Sequence, residues 1–411
     1  MSNKPTILFI APSCYPIDGA EANVNAKVIK ALTEYGCTVD LISRKSNKSL
    51  CYPKSADNYY FGNIRDIVEV DWYIKKDIKR IWNHLKVYLK TGYTYIWADW
   101  AYPAIKVCED LISKNHYDYI YTFNSPSEII GLYLSKKYGI KWVATWNDPY
   151  CWTKYPAPYG GGATSKVSFL RQRLINNIGN HVYRNIFPSE RLKNYMLKYM
   201  TGLTDDSCAI CPHLVLDANA GNKVPDHNYL SIIHAGALGR ERDPKTFLIG
   251  LNKFITKHPD ANIKVSFLGV FERSNGDDAI EYIKANNLDK YIEFLSPVSY
   301  RESLDVITQY DVCLLIEAPC EEGIFLPSKV ADYMQLEKPI LSISPGTGTL
   351  NDLYKTKQIA YFADVRNENA IAEELEKIYS DFLSGMDTDT QIVNKFSSKD
   401  YIKVQKEYIW K

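Results

Sequence analysis

The opening of the chain combines a short apolar run, a polar loop and a segment with helical periodicity. Residues 6–11 are almost entirely apolar, residues 12–19 hold two prolines, a glycine and an aspartate, and residues 38–43 are a second strand candidate. Apolar residues spaced by three and four predict an amphipathic helix, and short apolar runs between turn residues predict buried strands. The first 45 residues therefore predict a strand, a helix and a second strand. The apolar positions of that helix are Val24, Val28, Ala31, Leu32 and Tyr35, and Gly36 ends it.

The same alternation continues through both halves of the chain. In the first half, residues 117–123 and 141–146 are predicted strands that flank a predicted helix at 127–138. In the second half, Asp243 and Pro244 predict a helix start, because aspartate is a favoured N-cap residue and proline fits the first helical turn. Strands that alternate with helices predict doubly wound parallel sheets of the α/β class. The predicted strands of the second half are 230–235, 263–268, 292–294, 312–316 and 339–343.

The length of the chain and an interruption of this pattern predict two domains. The chain has 411 residues, enough for two domains of about 150 residues or more each. Residues 205–228 have no periodicity and form a predicted linker between an N-terminal domain, 1–204, and a C-terminal domain, 229–394. The expected fold is two Rossmann-like doubly wound domains that face a cleft. Residues 395–411 form a predicted helix that crosses back to dock on the N-terminal domain through Tyr401, Val404, Tyr408 and Ile409.

The charge of the chain is balanced overall but unevenly distributed. The 49 Lys and Arg against 48 Asp and Glu leave a net charge of +1, which argues against a general nucleic-acid binder. Residues 1–204 carry 27 basic and 16 acidic side chains, a net +11, whereas residues 205–411 carry 22 and 32, a net −10. A cationic half is typical of proteins that contact anionic surfaces. An anionic membrane surface or an anionic lipid-linked glycan is therefore a predicted partner, and nucleic acid is not.

The sequence has no segment typical of export or membrane insertion. The apolar run at 7–11 ends at Pro12 and is shorter than the core of a signal peptide. No run approaches the roughly 20 apolar residues of a spanning helix. We therefore expect a cytoplasmic protein, with peripheral contact to the inner face of the cell membrane as a compatible location. Its nine cysteines are expected to be reduced and mostly buried thiols.

The first of three loops with candidate chemistry lies between a predicted strand and a predicted helix at 15–20. Asp18 and Gly19 stand directly before the helix, where a glycine lets the backbone approach a ligand closely. Free N–H groups at a helix start favour phosphate or sugar hydroxyls. The loop does not have the GxGxxG pattern, so dinucleotide binding is not indicated. An ordinary strand-to-helix turn is the alternative interpretation.

The second loop, 236–244, combines glycines with two arginines. Gly239 favours a tight turn, and Arg240 and Arg242 carry permanent charges that suit paired contacts with the oxygens of a pyrophosphate. A diphosphate site is one interpretation of this loop. A solvated turn, in which the arginines pair with neighbouring acidic residues, is the other.

The third loop leads into a predicted helix start at Ser328. Ser328 is the predicted N-cap residue, and Asp332 lies one helical turn beyond it, so that Ser328, Lys329 and Asp332 gather at one helix start. A lysine and free backbone amides suit phosphate, and a carboxylate on the next turn suits two ribose hydroxyls. Together the second and third loops favour a nucleotide site in the C-terminal domain, with a surface helix bearing solvated charges as the alternative.

These loops resemble those of the GT-B glycosyltransferases of the family 4 type, which act in bacterial polysaccharide and glycoconjugate synthesis. The resemblance spans almost the whole chain. Residues 16–19 resemble the glycine-rich loop of the acceptor domain, 239–242 resemble the basic diphosphate turn, and 322–340 are similar to the acidic donor motif. Residues 124–126, followed by 142–149, resemble a subgroup with an Asp-Pro turn at the cleft.

The resemblance implies a retaining, metal-independent transferase without a cofactor. Its C-terminal domain would bind a UDP- or GDP-sugar, and its N-terminal domain would bind a glycan or a lipid-linked acceptor. The implied catalytic residues are Asp148, Arg242, Lys329 and Glu322. The implied donor-binding residues are Gly19, Gly239, Arg240, Arg242, Ser328, Lys329, Asp332, Glu317 and Glu321. The implied acceptor-binding residues are Asp18, Ser125, Asn147 and Trp152.

Two positions depart from the family pattern. The two acidic residues of the donor motif are usually both glutamate and closer together, whereas Glu322 and Asp332 are ten positions apart. Glu317 and Glu321 are therefore alternative residues for contact with the donor sugar. Asn147 stands where the subgroup commonly carries arginine, so a different acceptor contact is expected there.

Two further segments of the N-terminal half are candidate contact surfaces. Residues 150–159 hold four aromatic residues before three consecutive glycines, a composition that suits a mobile loop stacking on an acceptor sugar. Packing of these rings into the N-terminal domain is the alternative. Residues 166–198 hold seven basic residues and one acidic residue among apolar ones, which permits a cationic, membrane-facing helix. A solvated helix that covers the domain is the alternative there.

Neither of two short motifs supports a metal site. Cys208 and Cys211, with His213 nearby, form a single CxxC pair, and a structural zinc site takes four ligands. Asp387 and Asp389 mimic the metal motif of the other large glycosyltransferase fold but lie in a polar loop after a predicted helix. The isolated histidines His84, His116, His234 and His258 are interpreted as packing or surface residues.

Two other functions fit the same sequence. A nucleotide-sugar epimerase of GT-B fold has the same two domains but needs no separate acceptor. A non-catalytic subunit that binds a partner enzyme or a polysaccharide would tolerate the altered spacing of Glu322 and Asp332. Donor turnover without acceptor distinguishes the first alternative, and the absence of nucleotide binding distinguishes the second.

Overall fold

The chain forms two compact units in the computed structural model. The structure describes residues 4–15, 17, 19–46, 64–73, 75–94, 97–123, 125–216, 227–239, 241–270, 273–386 and 396–411. Unit 1 comprises Met1–Lys154, Ala163–Leu214 and Phe396–Lys411, and unit 2 comprises Tyr155–Gly162 and Val215–Lys395. Among the helices within the described ranges, none combines the length and the apolar character needed to cross a bilayer.

Unit 1 is built on a seven-stranded sheet whose neighbouring strands are all parallel. Its strands are β1 (Thr6–Ile10), β2 (Thr38–Arg44), β3 (Asp66–Val70), β4 (Tyr119–Phe123), β5 (Lys141–Thr145), β6 (Arg184–Phe187) and β7 (Cys208–Ile210). Its helices up to residue 197 are α1 (Ala20–Tyr35), α2 (Ile78–Thr91), α3 (Ala98–Lys114), α4 (Ser127–Tyr138), α5 (Phe169–His181) and α6 (Glu190–Leu197). The strand order is β3-β2-β1-β4-β5-β6-β7, so the direction of winding reverses between β1 and β4.

Unit 2 repeats this architecture with a six-stranded parallel sheet. Its strands are β8 (Leu230–Ala235), β9 (Ile263–Leu268), β10 (Ile292–Leu295), β11 (Val312–Ile316), β12 (Ile340–Ser344) and β13 (Tyr361–Asp364). Its helices are α7 (Lys245–Lys257), α8 (Arg273–Ala285), α9 (Tyr300–Ile307), α10 (Ser328–Gln335), α11 (Thr349–Lys355) and α12 (Glu368–Leu383). The strand order is β10-β9-β8-β11-β12-β13, and winding reverses between β8 and β11.

Helices on both faces of each sheet explain the continuous apolar runs of the sequence. In β8, Ile232 belongs to one hydrophobic core and Ile233 to the core on the opposite face. A strand covered on both sides has no solvent face, so it has no polar alternation. The predicted fold class of two doubly wound α/β domains is confirmed, and the predicted strands 230–235, 263–268 and 312–316 coincide with β8, β9 and β11.

The C-terminal residues pack on the core of unit 1. Helix α13 (Ser398–Val404) continues into a short π-helical turn, Gln405–Ile409. Tyr401 and Ile409 are buried in the core, and the Tyr121 hydroxyl donates a 2.6 Å hydrogen bond to Oε1 of Gln405. The terminal helix therefore returns to the N-terminal domain as predicted. Tyr408, predicted as part of its apolar stripe, is exposed instead, because the wider turn changes which residues face the sheet.

Three predicted segments differ from the structure. Residues 166–198, interpreted as one cationic helix, contain β6 between α5 and α6, because residues 185–187 are buried beside β5. The predicted linker, 205–228, contains β7, which pairs with β6, and unit 1 extends to Leu214. Residues 155–162, predicted to belong to the N-terminal domain, group with unit 2. Short strands with few apolar residues are the elements that the sequence pattern identifies least well.

Candidate functional site

The loops that the sequence singled out in unit 2 lie at the carboxyl ends of β8 and β11. Residues 236–244 follow β8, and residues 317–327 connect β11 to α10. In open parallel sheets, ligands bind where the winding reverses, outside the carboxyl ends of the strands. We call this cluster the β8/β11 site, and it comprises His234, Gly236, Arg242, Glu317, Lys329 and Asp332.

Lys329 lies against the glycine turn that follows β8. Its Nζ is 3.2 Å from Nε2 of His234, whose Nδ1 is 3.0 Å from the carbonyl oxygen of Leu314. Because a carbonyl only accepts, Nδ1 carries the proton and Nε2 accepts from the ammonium of Lys329. A Cβ atom at Gly236 would lie 2.6 Å from Cε and 2.8 Å from Nζ of Lys329. The glycine therefore provides the space in which the ammonium sits.

The charges around Lys329 favour an anionic ligand. Burial, and secondly the positive charge of Arg242, lower the pKa of Lys329 to about 7, although Glu317 and Asp332 act in the opposite direction. Burial, followed by the charges of Lys329 and Arg242, also lowers the pKa of His234 well below its usual value, so its ring is neutral. Two cations held close together in a partly dry pocket are stabilised by a phosphate placed between them.

Helix α10 positions both Lys329 and Asp332. Ser328 is its first residue, and Pro327 occupies the cap position, so the predicted N-cap role of Ser328 is wrong by one residue. No side chain in the described part of the chain caps this helix start. Asp332, one turn on, accepts a hydrogen bond from the hydroxyl of Tyr300 in α9. The carboxylate is thereby held on the same side of α10 as the helix start.

The three glutamates after β11 occupy different positions. The backbone N–H of Glu317 donates to Ile343 at 2.9 Å, and the charge of the Glu317 carboxylate acts on Lys329. Glu321 is exposed, and Glu322 precedes Gly323, whose N–H donates to the carbonyl of Thr347 at 2.8 Å. Glu317, which extends from the end of a buried strand, is therefore better placed beside Lys329 than the catalytic candidate Glu322.

The aromatic segment 155–159 contributes to the same site. The rings of Tyr155 and Tyr159 lie 5.9 Å and 5.4 Å from the ring of Phe325. Burial, and then the negative charge of Glu317, raise the pKa of Tyr159, whereas the charge of Arg242 lowers it. These two tyrosines thus pack within unit 2, so the alternative interpretation, that they pack into the N-terminal domain, is wrong for them.

Unit 1 has its own cluster at the carboxyl ends of β1, β2 and β5. Gly19 is the cap residue before α1, with φ 151° and ψ 162°, a conformation that is essentially restricted to glycine. Gly19, implied as a donor-binding residue, belongs to unit 1, whereas Gly239 and Lys329 belong to unit 2. Asp18 and Arg240 lie outside the described residues.

Glu21 lies near both Asp148 and Arg44, an arrangement that the sequence did not reveal. Asp148 follows β5 and is exposed. Burial, and secondly the negative charge of Asp148, raise the pKa of Glu21 to about 8, while the charge of Arg44 lowers it. Arg44 is buried at the end of β2, with its guanidinium carbon 4.6 Å from the centre of the Trp72 ring. A protonated Glu21 beside an ionised Asp148 provides both a donor and an acceptor for sugar hydroxyls.

The remaining acceptor candidates lie on the loops after β4 and β5. Ser125 donates a 2.8 Å hydrogen bond from Oγ to Oε1 of Glu128, whose pKa burial raises. Asn147 is partly buried, and Trp152 is exposed. Ser125 and Asn147 follow the adjacent strands β4 and β5, so they belong to the same edge of the sheet. Trp152 begins a short 3₁₀ turn, Trp152–Lys154.

Within the described ranges, no group of three or more His, Cys, Asp or Glu side chains has the arrangement of a metal site. The eight cysteines in those ranges are free thiols, and seven of them are buried. Burial raises the pKa of the Cys211 thiol, as expected of a packing residue. Asp387 and Asp389 lie outside the described residues.

Comparisons with known proteins identify the fold. No protein-family model and no curated protein sequence matches the chain. Its structure is similar to that of a glycosyltransferase from Rickettsia africae, with a TM-score of 0.66 over 99% of both chains at 16% identity. The structure of HepE of Anabaena in complex with UDP-glucose gives a TM-score of 0.67 over 98% of this chain and 99% of HepE, at 12% identity. The chain has the GT-B fold.

A further GT-B similarity is to the sucrose-phosphate synthase of Thermosynechococcus elongatus. The TM-score is 0.62, over 99% of this chain and 95% of that protein, at 12% identity. Similarity at these low sequence identities shows the fold alone, so the chemistry is inferred from the side chains of the site.

His234 is the residue of the β8/β11 site that sequence reasoning missed. His234 is buried, as its interpretation as a packing residue predicts, but its ring also contacts Lys329. One signal in the sequence was available, since His234 stands at the carboxyl end of a strand, two positions before a glycine turn.

Proposed function

We propose that the chain is a glycosyltransferase that moves a sugar from a nucleoside-diphosphate sugar, bound by unit 2, to an acceptor bound by unit 1. The observation that carries this proposal is the ammonium of Lys329, held against Gly236 beside the charge of Arg242 where the winding of unit 2 reverses. HepE, a protein of the same fold, binds UDP-glucose, which supports a UDP-sugar as the first donor to test.

Each charged residue of the β8/β11 site has a role in this proposal. Lys329 and Arg242 stabilise the negative charge that develops on the departing diphosphate, a contribution that is largest in the transition state. Asp332, oriented by the Tyr300 hydroxyl, accepts hydrogen bonds from the ribose. Glu317 contacts the donor sugar. Because the two cations supply the positive charge at the leaving group, the proposed transfer requires no metal ion.

The proposed acceptor is a glycan or a lipid-linked glycan, bound near Asp148. In a retaining reaction, the departing phosphate oxygen takes the proton of the acceptor hydroxyl while a bond forms from that hydroxyl oxygen to the anomeric carbon. Asp148, beside the protonated Glu21, then orients the acceptor. In an inverting reaction Asp148 would be the general base. We favour retention, and an inverted product, recognised by the coupling constant of its anomeric proton, would contradict it.

A thermal-shift panel of UDP, GDP and their sugars tests the proposed donor. A ligand that binds the folded state alone raises the unfolding temperature with its concentration. We expect a shift with one nucleotide base and no shift with inorganic phosphate at equal concentration. A panel without any shift would refute the donor site. Conversion of the donor to an epimer in the absence of acceptor would identify an epimerase instead.

The pH dependence of nucleotide binding provides a second test. The pKa of Lys329 is about 7 in the ligand-free protein, and a bound diphosphate raises it, so binding above that pH requires uptake of a proton. We expect the affinity for the nucleoside diphosphate to fall by up to about tenfold per pH unit above about pH 7. Isothermal titration calorimetry in buffers of different ionisation enthalpy measures the proton uptake directly. The Lys329→Gln variant controls for ionisation of the nucleotide, and an equal slope in this variant would exclude Lys329 as the titrating group.

A further inference from the structure

Helix α2 presents its apolar side to solvent. Its apolar residues recur at spacings of three and four, which places them on one stripe of the helix. Their side chains are between 40% and 74% exposed: Ile78, Ile81, Trp82, Leu85, Tyr88 and Leu89. Within α2, all of whose fourteen residues are described, Val87 alone is buried. Surface helices of globular proteins normally have the opposite orientation, so this stripe requires a partner.

Ion pairs to the body of unit 1 fix this orientation. Nε of Arg80 lies 2.8 Å from Oδ2 of Asp99 in α3, and Nε2 of His84 lies 3.3 Å from the same oxygen. The side chain of Asp99 is fully buried. Near the C-terminal end of α2, Nζ of Lys90 lies 2.6 Å from Oε2 of Glu109, which is also in α3. Rotation of α2 to bury its apolar stripe would leave the Asp99 carboxylate buried without its cation, which is strongly unfavourable. The apolar stripe therefore faces outward because these ion pairs hold the polar side of α2 against the rest of unit 1.

Basic residues border the stripe where the helix begins. Lys75, Lys76 and Lys79 are exposed, and Lys86 lies beside the stripe about two turns further on. The nearby Asp77 is the N-cap of α2, and it accepts hydrogen bonds from the Tyr73 hydroxyl and from the backbone of Arg80. The fringe of the stripe thus carries a clear excess of positive charge.

We propose that α2 lies in the interface of an anionic lipid bilayer, with its apolar stripe buried among the acyl chains. An apolar face with tryptophan and leucine, bordered by lysines, is typical of helices that enter the headgroup region to a depth of about 5–10 Å. A second copy of the chain is a poorer partner, because apposed stripes would bring the two lysine fringes together. The lysines complement anionic headgroups instead. This inference does not depend on the transfer reaction.

Vesicle flotation with the full chain tests the proposal without any nucleotide or acceptor. The protein is mixed with vesicles of phosphatidylcholine, with or without phosphatidylglycerol. Two variants are compared: a stripe variant (Ile81→Ser, Leu85→Ser, Leu89→Ser) and a charge variant (Lys75→Glu, Lys76→Glu, Lys79→Glu). Leu383→Ser, at a side chain of α12 that is 68% exposed, is the matched control. Because the substituted side chains are exposed, all variants are expected to keep the unfolding temperature of the parent protein.

We expect the parent protein and Leu383→Ser to float with the anionic vesicles and to bind phosphatidylcholine alone much more weakly. Both α2 variants should lose binding by about tenfold or more. A blue shift of tryptophan fluorescence when the protein binds the vesicles, absent in Trp82→Phe, would place the stripe itself in the membrane. Binding that survives in the stripe variant would overturn the proposal. So would a dimer of the parent protein, measured by light scattering, that the stripe variant loses, since the partner would then be a second copy.

Discussion

Replacement of Lys329 by glutamine is expected to lower kcat for sugar transfer by about 10²–10³-fold. The ammonium lies beside the charge of Arg242 at the carboxyl end of β8, where the proposed diphosphate leaves. A neutral amide of similar length keeps a donor for Nε2 of His234 but supplies no charge to the leaving group. Arg242→Gln should have an effect of similar size, because the two cations act on the same developing charge. Steady-state kinetics with saturating donor measure the change in kcat.

Stability measurements separate this chemical effect from damage to the fold. Taking a cation out of water costs free energy, and the lowered pKa of Lys329 records that cost in the ligand-free protein. Lys329→Gln should therefore unfold at the same temperature as the parent or at a higher one. Lys290→Gln, at an exposed position before β10, is the matched control and should leave both kcat and stability unchanged. Near-parent kcat in both Lys329→Gln and Arg242→Gln would refute the proposed diphosphate site.

The strands and helices of the central sheets could be predicted from the sequence because they are buried on both sides. A continuous apolar run such as β11, followed by proline within a few residues, leaves few alternative structures. The position of the site follows from the same pattern. In a doubly wound sheet, the loops after β8 and β11 must meet where the winding reverses, so Arg242 and Lys329 could be placed together without knowledge of the side-chain geometry.

Features that depend on contacts between distant segments could not be predicted. The short strands β6 and β7 acquire their conformation from pairing with each other, not from local apolar periodicity. Asp148 and Arg44 become neighbours of Glu21 only because β1, β2 and β5 end at one edge of the sheet. The outward orientation of α2 depends on Asp99, which is in the next helix and is buried. Sequence periodicity identifies an amphipathic helix but does not tell which side faces the protein.

The charge difference between the halves of the chain can be related to two particular sites in the structure. Residues 205–411 carry a net charge of −10, yet Lys329 and Arg242 are gathered at one point of unit 2. An anionic nucleotide would therefore be repelled by most of this half and attracted at that point. In the first half, part of the +11 charge borders the apolar stripe of α2, where we propose that it meets anionic lipid headgroups. In these two proposals, the halves of the chain use positive charge for different ligands.

Gly236→Ala is expected to weaken nucleotide binding by about ten- to a hundredfold while destabilising the fold only modestly. Gly236 has φ 119°, and a Cβ atom there would lie 2.6 Å from Cε of Lys329. That atom is near the end of a flexible side chain, so the overlap is relieved by movement of the ammonium and costs little stability. The movement takes the charge away from the diphosphate and from Nε2 of His234. The dissociation constant of the nucleoside diphosphate, measured by calorimetry, reports the loss.

Gly385→Ala provides the matched control for the backbone cost of this substitution. Gly385 has φ 80°, and a Cβ atom there would meet nothing within 4 Å. It should therefore show the strain of a left-handed alanine, about 1–2 kcal/mol of unfolding free energy, without any change in nucleotide affinity. A double variant of Gly236→Ala and Lys329→Gln should bind no more weakly than Lys329→Gln alone, because both changes remove the same charge. Additive losses in the double variant would mean that Gly236 acts on the ligand through its own backbone and not through Lys329.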